Sequence, residues 1–347
     1  MRNKIVEEDL VRIIEDSNLP WSELEGKTVL ISGASGVLPA YMVETLLYLN
    51  EKSGGTKIKV IGLVRNRKRA LDRFTHYKTR DDLELLVQDV CDVVSLETKI
   101  DYIIHAASQA SPKYYGKDPV GTLSPNVLGT HNLLGLARRE KVRSFLFFSS
   151  GAVYGRIDPF RMPIKENSFG YVDPLDMRSC YAESKRMGET MCASWYRQYG
   201  VPAKIVRPFH TYGPGMRLDD GRVFADFVAD IVHNRDIVIK SDGSASRPFC
   251  YLSDAVVGFF TVLFKGESGE AYNVGNDQAE ISIQDLAKLL VALFPEKKLE
   301  VRIEGYQETP VNRVFPDISK IRGLGWEPVI SLEQGFLRTV RSYCEYS

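Results

Sequence analysis

Ser150, Tyr181 and Lys185 are the residues of this sequence whose types and spacing could together oxidise or reduce an alcohol. Tyr181 and Lys185 are four positions apart in "YAESK", so both side chains would lie on one face of a helix. An ammonium beside a phenol favours the phenolate, so Lys185 is expected to lower the pKa of Tyr181 and make it a general base. Ser150 ends the apolar run "RSFLFFSS", where its hydroxyl could hold the reacting alcohol.

A glycine turn upstream predicts a site for the dinucleotide that such chemistry needs. "SGASGVLPA" joins an apolar strand to a helix, and its glycines let the backbone approach a pyrophosphate at the helix N-terminus. Pro39 stands where the usual fingerprint has a third glycine, and proline is tolerated in a first helical turn. The cofactor contacts predicted in this turn are Gly33, Ser35, Gly36, Val37 and Leu38.

The end of the second predicted strand leaves the choice between NAD and NADP open. NAD sites usually carry an acidic residue there for the ribose 2′-hydroxyl. This chain has Val64, followed by the basic stretch Arg65, Asn66, Arg67 and Lys68, which either accepts a 2′-phosphate or is a solvated helix start. We expect NAD, with NADP possible. The remaining predicted cofactor contacts are Arg65, Asn66, Asp89, Val90, Ala106, Ala107, Ser108 and Pro208.

The elements that must position these residues alternate along the chain. Apolar strands and amphipathic helices succeed one another up to about residue 208, which predicts an α/β fold with a Rossmann-type, doubly wound parallel sheet. Later segments are shorter and richer in glycine and aspartate, which indicates a smaller C-terminal α/β substrate lobe. The expected units are an N-terminal helical extension over 1–25, a dinucleotide-binding domain over 26–210, and a lobe mainly within 211–347, with some chain crossing back.

Composition excludes several classes of function. Lysine plus arginine and aspartate plus glutamate each number 45, so no global basic field points to nucleic acid. No apolar stretch reaches the ~18 residues of a membrane span. The five cysteines show neither paired spacing nor a histidine partner at metal spacing, so we expect reduced thiols, no bound metal and a cytoplasmic protein.

With these motifs in place, the chain resembles the extended short-chain dehydrogenase/reductases that modify nucleotide sugars, over nearly its whole length after residue 26. The resemblance rests on "SGASG", "HAAS", "NVLGTHNLLGLA", "SSGAVYG", "YAESK", "RPFHTYGPGM", "DGSASRPFCYLSD", "YNVGN" and "PDISKIRGLGWEP". In detail it looks most similar to UDP-glucuronate decarboxylases, through "SQASPKYY" and "LDDGRVFADFV".

This resemblance implies a reaction at sugar C4, in which a nicotinamide takes a hydride and later returns it. Tyr181 would be the base, Lys185 its partner and Ser150 the hydroxyl support. The implied contacts to a nucleotide-diphosphate sugar are Gln109, Ser150, His210, Arg222, Arg247 and Arg313.

Two departures from the family pattern bear on the reaction. Dehydratases carry Asp-Glu, and decarboxylases a glutamate, where this chain has Gly151 and Ala152. Elimination of water would lose its proton carriers, whereas a β-keto acid can lose CO₂ with less help. Small residues there resemble 4-epimerases. His210 stands where the family usually has asparagine. Its side chain could be a hydrogen-bond donor, a general acid or a packed histidine.

The leading hypothesis is therefore a nucleotide-sugar 4-epimerase with a tightly bound cofactor. The alternatives are a 4-ketoreductase or dehydrogenase using NADP(H), a UDP-glucuronate decarboxylase-like enzyme and, least favoured, a non-catalytic dinucleotide- or sugar-binding protein. The resemblance also implies a homodimer formed by the helices near 120–138 and 181–198. Their predicted apolar faces are Leu128, Leu133 and Leu136 on one and Met187, Met191 and Trp195 on the other.

Overall fold

Short apolar segments and amphipathic helices alternate through the computed structural model, which describes residues 2–305 and 315–344. The strands are β1 Thr28–Ser32, β2 Lys59–Val64, β3 Leu83–Val87, β4 Tyr102–His105, β5 Ser144–Phe148, β6 Ala203–Pro208, β7 Thr211–Tyr212, β8 Ile237–Ile239, β9 Ser246–Pro248, β10 Cys250–Tyr251, β11 Ala271–Val274, β12 Glu280–Ser282 and β13 Val301–Ile303. The helices are α1 Lys4–Ile14, α2 Val37–Lys52, α3 Arg67–Arg73, α4 Pro119–Ser124, α5 Thr130–Glu140, α6 Cys180–Tyr199, α7 Val223–Val232, α8 Leu252–Lys265, α9 Ile283–Leu293, α10 Ser319–Arg322 and α11 Leu332–Cys344.

One parallel sheet of seven strands forms the centre, in the order β11-β6-β5-β4-β1-β2-β3. Every residue of β1 and of β5 is buried, because helices cover both faces of the sheet. The predicted Rossmann-type class is confirmed. The strand order reverses direction between β1 and β4, which opens a crevice at the carboxyl ends of the strands.

Two apolar cores flank this sheet. On one face, α2 and α8 pack on the sheet together with the N-terminal helix α1. On the other face, α5 and α6 cover the central strands. Helix α6 ends at Tyr199 and is capped by Gly200. The φ of Gly200 is 70°, in the left-handed region that favours glycine and is common at helix ends.

A third core belongs to the C-terminal lobe, where α7, α9 and α11 pack around aromatic side chains. The lobe also contains three two-stranded ladders, β7–β10, β9–β12 and β8–β13. The predicted boundary at residue 210 stays a prediction, and the chain beyond it does return to the large sheet through α8 and β11.

The faces expected to form a dimer are only partly at the surface. Leu133 and Leu136 are buried in this chain's own core, and Met191 and Trp195 pack against that core. Leu128 and Met187 are 53% and 49% exposed. The four inward residues therefore stabilise the monomer fold, and two of the six predicted residues present a substantial apolar surface.

Among residues 2–305 and 315–344, no helix has the length and apolar character needed to cross a bilayer. Within the same ranges, histidine, cysteine, aspartate and glutamate side chains form no group of three suited to a metal ion. All five cysteines, which fall inside those ranges, are free.

Candidate active site

A cavity of about 720 Å³ opens at the carboxyl ends of the parallel strands, where the strand order reverses. Parallel strands bring residues that are distant in sequence to this one edge. Gly33 follows β1, Ala106 follows β4, Ser150 follows β5, and Pro208 ends β6. All four line the cavity, so the topology alone joins the predicted cofactor and catalytic motifs.

The glycine turn after β1 makes room for a dinucleotide. Gly33 has φ +66°, and a Cβ there would lie 2.7 Å from Cα of Ala107. Gly36 is the N-cap of the 16-residue helix α2, and no side chain caps the helix there. The first N–H groups of α2 therefore face the site without a side-chain acceptor. Ser108 Oγ is buried on the cavity wall and makes no hydrogen bond to any residue the structure describes. These features fit a dinucleotide carrying a pyrophosphate.

A buried pair behind the turn fixes the backbone that would face the cofactor. Ser32 Oγ accepts hydrogen bonds from the N–H groups of Ala106 (3.1 Å) and Ala107 (3.2 Å). His105 Nδ1 lies 2.7 Å from the same hydroxyl, and its Nε2 lies 3.2 Å from the carbonyl oxygen of Pro125. Burial lowers the pKa of His105 to about 3, so the ring is neutral. A hydroxyl donating to Nδ1 and an Nε2–H donating to Pro125 satisfy both ring nitrogens. Sequence reasoning missed this role, for which a histidine ending an apolar strand was the signal.

The proposed catalytic residues Ser150, Tyr181 and Lys185 all line the cavity. Ser150 caps the helical turn Gly151–Tyr154, and its Oγ accepts a hydrogen bond from the N–H of Ala152 at 3.1 Å. Tyr181 and Lys185 are buried on α6, and the Tyr181 hydroxyl is hydrogen-bonded to Ser150. Lys185 Nζ donates to the carbonyl oxygen of Phe148, at the end of β5, at 2.5 Å. Helix α6 thus presents the pair to the ends of the central strands.

The proton affinities in this set differ from the expectation. Burial raises the pKa of Tyr181, against the lowering effects of the Ser150 hydrogen bond and of Arg222. Burial also lowers the pKa of Lys185 to about 7, although Glu189 acts to raise it. The prediction that Lys185 brings the Tyr181 pKa below its ordinary value is therefore wrong here, because desolvation of the phenol outweighs the favourable charges. Of the two groups, Lys185 is therefore the one that loses its proton at the lower pH.

The other end of the cavity gathers predicted substrate contacts. Gln109, His210, Arg222 and Arg247 line it, whereas Arg313 lies outside the described residues. Burial, with Arg247 and Arg222 nearby, lowers the pKa of His210 to about 3. The ring is therefore neutral near pH 7 in this structure, which favours a hydrogen-bonding or packing role over a general-acid role. Its Nδ1 is buried and has no hydrogen-bond partner among the described residues, so a neutral hydrogen-bonding role toward a ligand remains.

Most of the remaining predicted cofactor contacts line the cavity, and one does not. Ser35, Gly36, Val37, Leu38, Arg65, Asn66, Val90, Ala107 and Ser108 line the cavity. Asp89 does not, and instead accepts a hydrogen bond from the N–H of Cys91 at 2.9 Å. Arg69 and Tyr115 are among the lining residues that sequence reasoning missed. The Tyr115 ring stacks on that of Tyr181, with centroids 5.2 Å apart and planes 14° from parallel, and the pair "YY" in a loop was the only signal.

The two small residues beside Ser150 have different surroundings. Both Gly151 and Ala152 line the cavity. A Cβ on Gly151 would lie 3.0 Å from the ring of Phe209, so a larger side chain there needs Phe209 to move. Ala152 is exposed. A carboxylate of the kind that dehydratases and decarboxylases carry would therefore be accommodated at position 152, where this chain has a methyl group.

Comparisons with known proteins agree with this site. The model of the NAD dependent epimerase/dehydratase family matches residues 29–275. UDP-glucuronic acid decarboxylase 2 of Arabidopsis thaliana is 36% identical over 321 residues, which cover 92% of this chain and 68% of that protein.

Solved structures share the fold. UDP-glucose 4-epimerase of Thermotoga maritima aligns with a TM-score of 0.78 at 23% identity, covering 92% of this chain and 99% of the other. UDP-glucuronic acid 4-epimerase of Bacillus cereus, in complex with UDP-glucuronic acid and NAD, aligns with a TM-score of 0.76 at 22% identity, covering 92% and 100%. At these identities the likeness establishes the architecture and leaves the reaction to be argued from the site.

Proposed function

The chain belongs to the NAD-dependent epimerase/dehydratase family, and from that premise we propose that it is a nucleotide-sugar 4-epimerase. Family membership confirms the expected nicotinamide cofactor and the expected class of enzyme. The observation that carries the finer proposal is the cavity wall around Ser150. It joins a hydroxyl, a tyrosine and a lysine to Gly151 and Ala152, which bring no carboxylate.

Each catalytic residue has a role in moving one proton at the sugar C4 oxygen. A bound nicotinamide supplies the hydride acceptor and donor for C4. Tyr181 takes the hydroxyl proton as C4 becomes a ketone and gives it back when the alcohol reforms. Ser150 donates a hydrogen bond to the same oxygen, and the Lys185 ammonium stabilises the phenolate. Epimerisation requires no proton transfer to carbon, since the ketone only has to present its opposite face before the hydride returns.

The proposed substrate contacts divide between charge and hydrogen bonding. Arg222 and Arg247 offer guanidinium groups that suit a diphosphate. Neutral His210, with its buried Nδ1, and Gln109 offer hydrogen bonds on the same cavity wall. We include Arg313 among the proposed contacts on the family resemblance only.

A second candidate, UDP-glucuronate decarboxylase, is favoured by the 36% identity to such an enzyme over 92% of this chain. Oxidation at C4 of a uronic acid gives a β-keto acid, which releases CO₂ and leaves an enolate that must gain a proton at C5. Tyr181 and Ser150 would still act at C4. The residue beside them that could guide the later proton is a methyl group at Ala152. For this reason we rank decarboxylation second.

UDP-glucuronic acid is the sharpest test substrate, because both reactions can begin from it. The purified protein is incubated with it, and the products are identified by NMR and by CO₂ release. A 4-epimerase gives a uronic acid of the same mass with no net change in nicotinamide absorbance. UDP-glucose is tested in parallel, since an epimerase for neutral sugars would act only there.

The alternative outcomes are distinct. A UDP-pentose with CO₂ would establish the decarboxylase, and a stoichiometric nicotinamide absorbance change would establish a ketoreductase or dehydrogenase. Tyr181→Phe is the matched control, since it removes one oxygen from a buried ring. It should lower turnover by roughly 10²-fold or more while nucleotide-sugar binding persists. No turnover with either substrate would favour a binding protein.

A further inference from the structure

The cavity wall beyond β2 carries positive charge where an NAD site usually carries an acid. Strand β2 ends at Val64, which is buried. An aspartate or glutamate at this point accepts hydrogen bonds from the adenosine ribose of NAD and repels the 2′-phosphate of NADP. Val64 does neither. The chain therefore departs from the usual pattern of a family defined by NAD.

Two arginines on either side of the β2–α3 junction line the cavity, Arg65 and Arg69. The Oδ1 of Asn66, which also lines the cavity, accepts a hydrogen bond from the N–H of Arg69 at 2.9 Å and caps α3. This cap fixes the turn from which both guanidinium groups extend. Arginine suits phosphate because its planar donors can bind two oxygens at once.

The charges nearby leave this end of the cavity positive. Residues 64–69, "VRNRKR", contain four cations and no carboxylate. The Asp89 carboxylate approaches Arg65 Nη1 only to 3.9 Å, and the Arg65 side chain is 58% exposed. An exposed pair at that separation contributes little, so a phosphate can displace it. Hydrogen bonds from Gln109 and Gly121, and to a lesser extent the charge of Arg65, lower the pKa of a second carboxylate, Asp118.

We propose that Arg65 and Arg69 bind the 2′-phosphate of NADP, so that this chain binds NADP(H) at least as tightly as NAD(H). The proposal concerns the adenosine end of the cofactor and is independent of which sugar is turned over. Such binding of NADP(H) would distinguish this chain from the NAD dependence that the description of its family states. A basic helix start that only faces solvent would give no preference for the extra phosphate.

The test measures dissociation constants of NADH and NADPH from the intact protein by the fluorescence of the reduced nicotinamide. Any dinucleotide that copurifies is first identified by mass spectrometry and exchanged. The expected NADPH dissociation constant is equal to or smaller than that of NADH. Arg65→Ala and Arg69→Ala should each weaken NADPH binding by about 10-fold, the size of one charge-assisted contact, and change NADH binding by less than about 2-fold. Val64→Asp should reverse the preference.

Arg67→Ala is the matched control, because Arg67 belongs to the same basic stretch but does not line the cavity. It should leave the ratio of the two dissociation constants within about 2-fold of the unchanged protein, since a solvated charge acts weakly at a distance. Thermal unfolding of each variant shows that it is folded. The proposal is overturned if the unchanged protein binds NADH more tightly than NADPH, or if the two arginine variants weaken both cofactors equally.

Discussion

Tyr181 and Lys185 are two neighbouring titratable groups that matter at the scale of single residues. Both are buried on α6, and burial moves their pKa values in opposite directions, up for the phenol and down for the ammonium to about 7. The first proton to leave is that of the Lys185 ammonium, since its pKa is the lower of the two. Above about pH 7 the pair has lost that proton and can accept one from a sugar hydroxyl. Below it both groups are protonated and the site has no base.

The activity is therefore expected to rise with pH through a midpoint near 7. Lys185→Met leaves Tyr181 alone, with a pKa that burial raises above its ordinary value, so the rising limb should move to alkaline pH. At neutral pH, kcat/KM should fall by roughly 10²-fold or more. The measurement is kcat/KM against pH for both proteins with the substrate established above.

Lys204→Met is the matched control for this prediction. Lys204 is also a buried lysine, with a pKa that burial lowers to about 8, and its Nζ donates to the carbonyl oxygen of Leu263 at 2.6 Å. It does not line the cavity. Its replacement should change stability and leave the midpoint in place. An unchanged midpoint in Lys185→Met would contradict the assignment of the titrating pair.

Gly33→Ala should lower both stability and dinucleotide affinity. Gly33 has φ +66°, and the added methyl would lie 2.7 Å from the Ala107 backbone, which is held by Ser32. A loss of more than about 1 kcal/mol in the free energy of unfolding is expected, measured by urea titration. Gly135→Ala is the control, because Gly135 lies in α5 with no atom within 4 Å of the added carbon. The Gly135→Ala variant should have a free energy of unfolding that is higher by up to about 1 kcal/mol.

Helix α6 links catalysis to stability at the scale of elements. Glu189 lies one helical turn beyond Lys185, and its carboxylate accepts two hydrogen bonds from Arg207 of β6, at 2.8 and 2.6 Å. Ser149, at the end of β5, donates to the same carboxylate at 2.5 Å. The Arg207 guanidinium also donates to the hydroxyl of Tyr154 at 2.8 Å. This network holds α6 against β5 and β6, so Tyr181 and Lys185 are positioned over the strand ends.

A double-mutant cycle on Glu189 and Arg207 tests this link. Their side chains are only 14% and 11% exposed, so each single change leaves an uncompensated charge. Glu189→Gln and Arg207→Met should each reduce the free energy of unfolding by about 3–5 kcal/mol, and the double variant by less than the sum. The exposed pair Lys57 and Asp81 is the control, for which removal should leave the free energy of unfolding nearly unchanged. Additive losses at Glu189 and Arg207 would contradict the network.

At the scale of the whole molecule, the N-terminal helix α1 joins elements that are distant in the sequence. Asp9 of α1 is buried and accepts hydrogen bonds from Tyr41 of α2 and Tyr251 of β10, at 3.1 and 2.8 Å. Arg338 of α11 donates to its other oxygen at 2.8 Å. One carboxylate thus connects α1 to α2, β10 and α11. Helix α1 itself contributes no residue to the wall of the cavity.

We also predict a homodimer, through the surface that carries Leu128 and Met187. These side chains are 53% and 49% exposed at the turn between α4 and α5 and on α6. Leu128→Glu should convert the dimer to a monomer in light scattering at micromolar concentration, because a charge would be buried at the two-fold interface. Val329→Glu, at an exposed position outside these helices, should not. A monomeric unchanged protein would refute the prediction.

Local patterns in the sequence were sufficient for the class of fold and for most of the site. Apolar runs, the turn "SGASG" and the pair Tyr181 and Lys185 depend on neighbours within one strand, turn or helix, so their meaning survives without tertiary structure. Parallel strands then bring the strand ends to one edge, which is why residues as distant as Gly33 and Pro208 could be assigned to one cavity.

Only the tertiary structure decided the features that depend on desolvation and on distant packing. Burial raised the pKa of Tyr181 and lowered that of His210, and both effects come from side chains far away in sequence. Strand β11, Ala271–Val274, is a short segment whose place in the large sheet is determined by its pairing with β6. The inward orientation of Leu133 and Leu136 was also decided by tertiary packing. The residues of an apolar helix face do not by themselves show whether the protein's own core or a second copy covers that face.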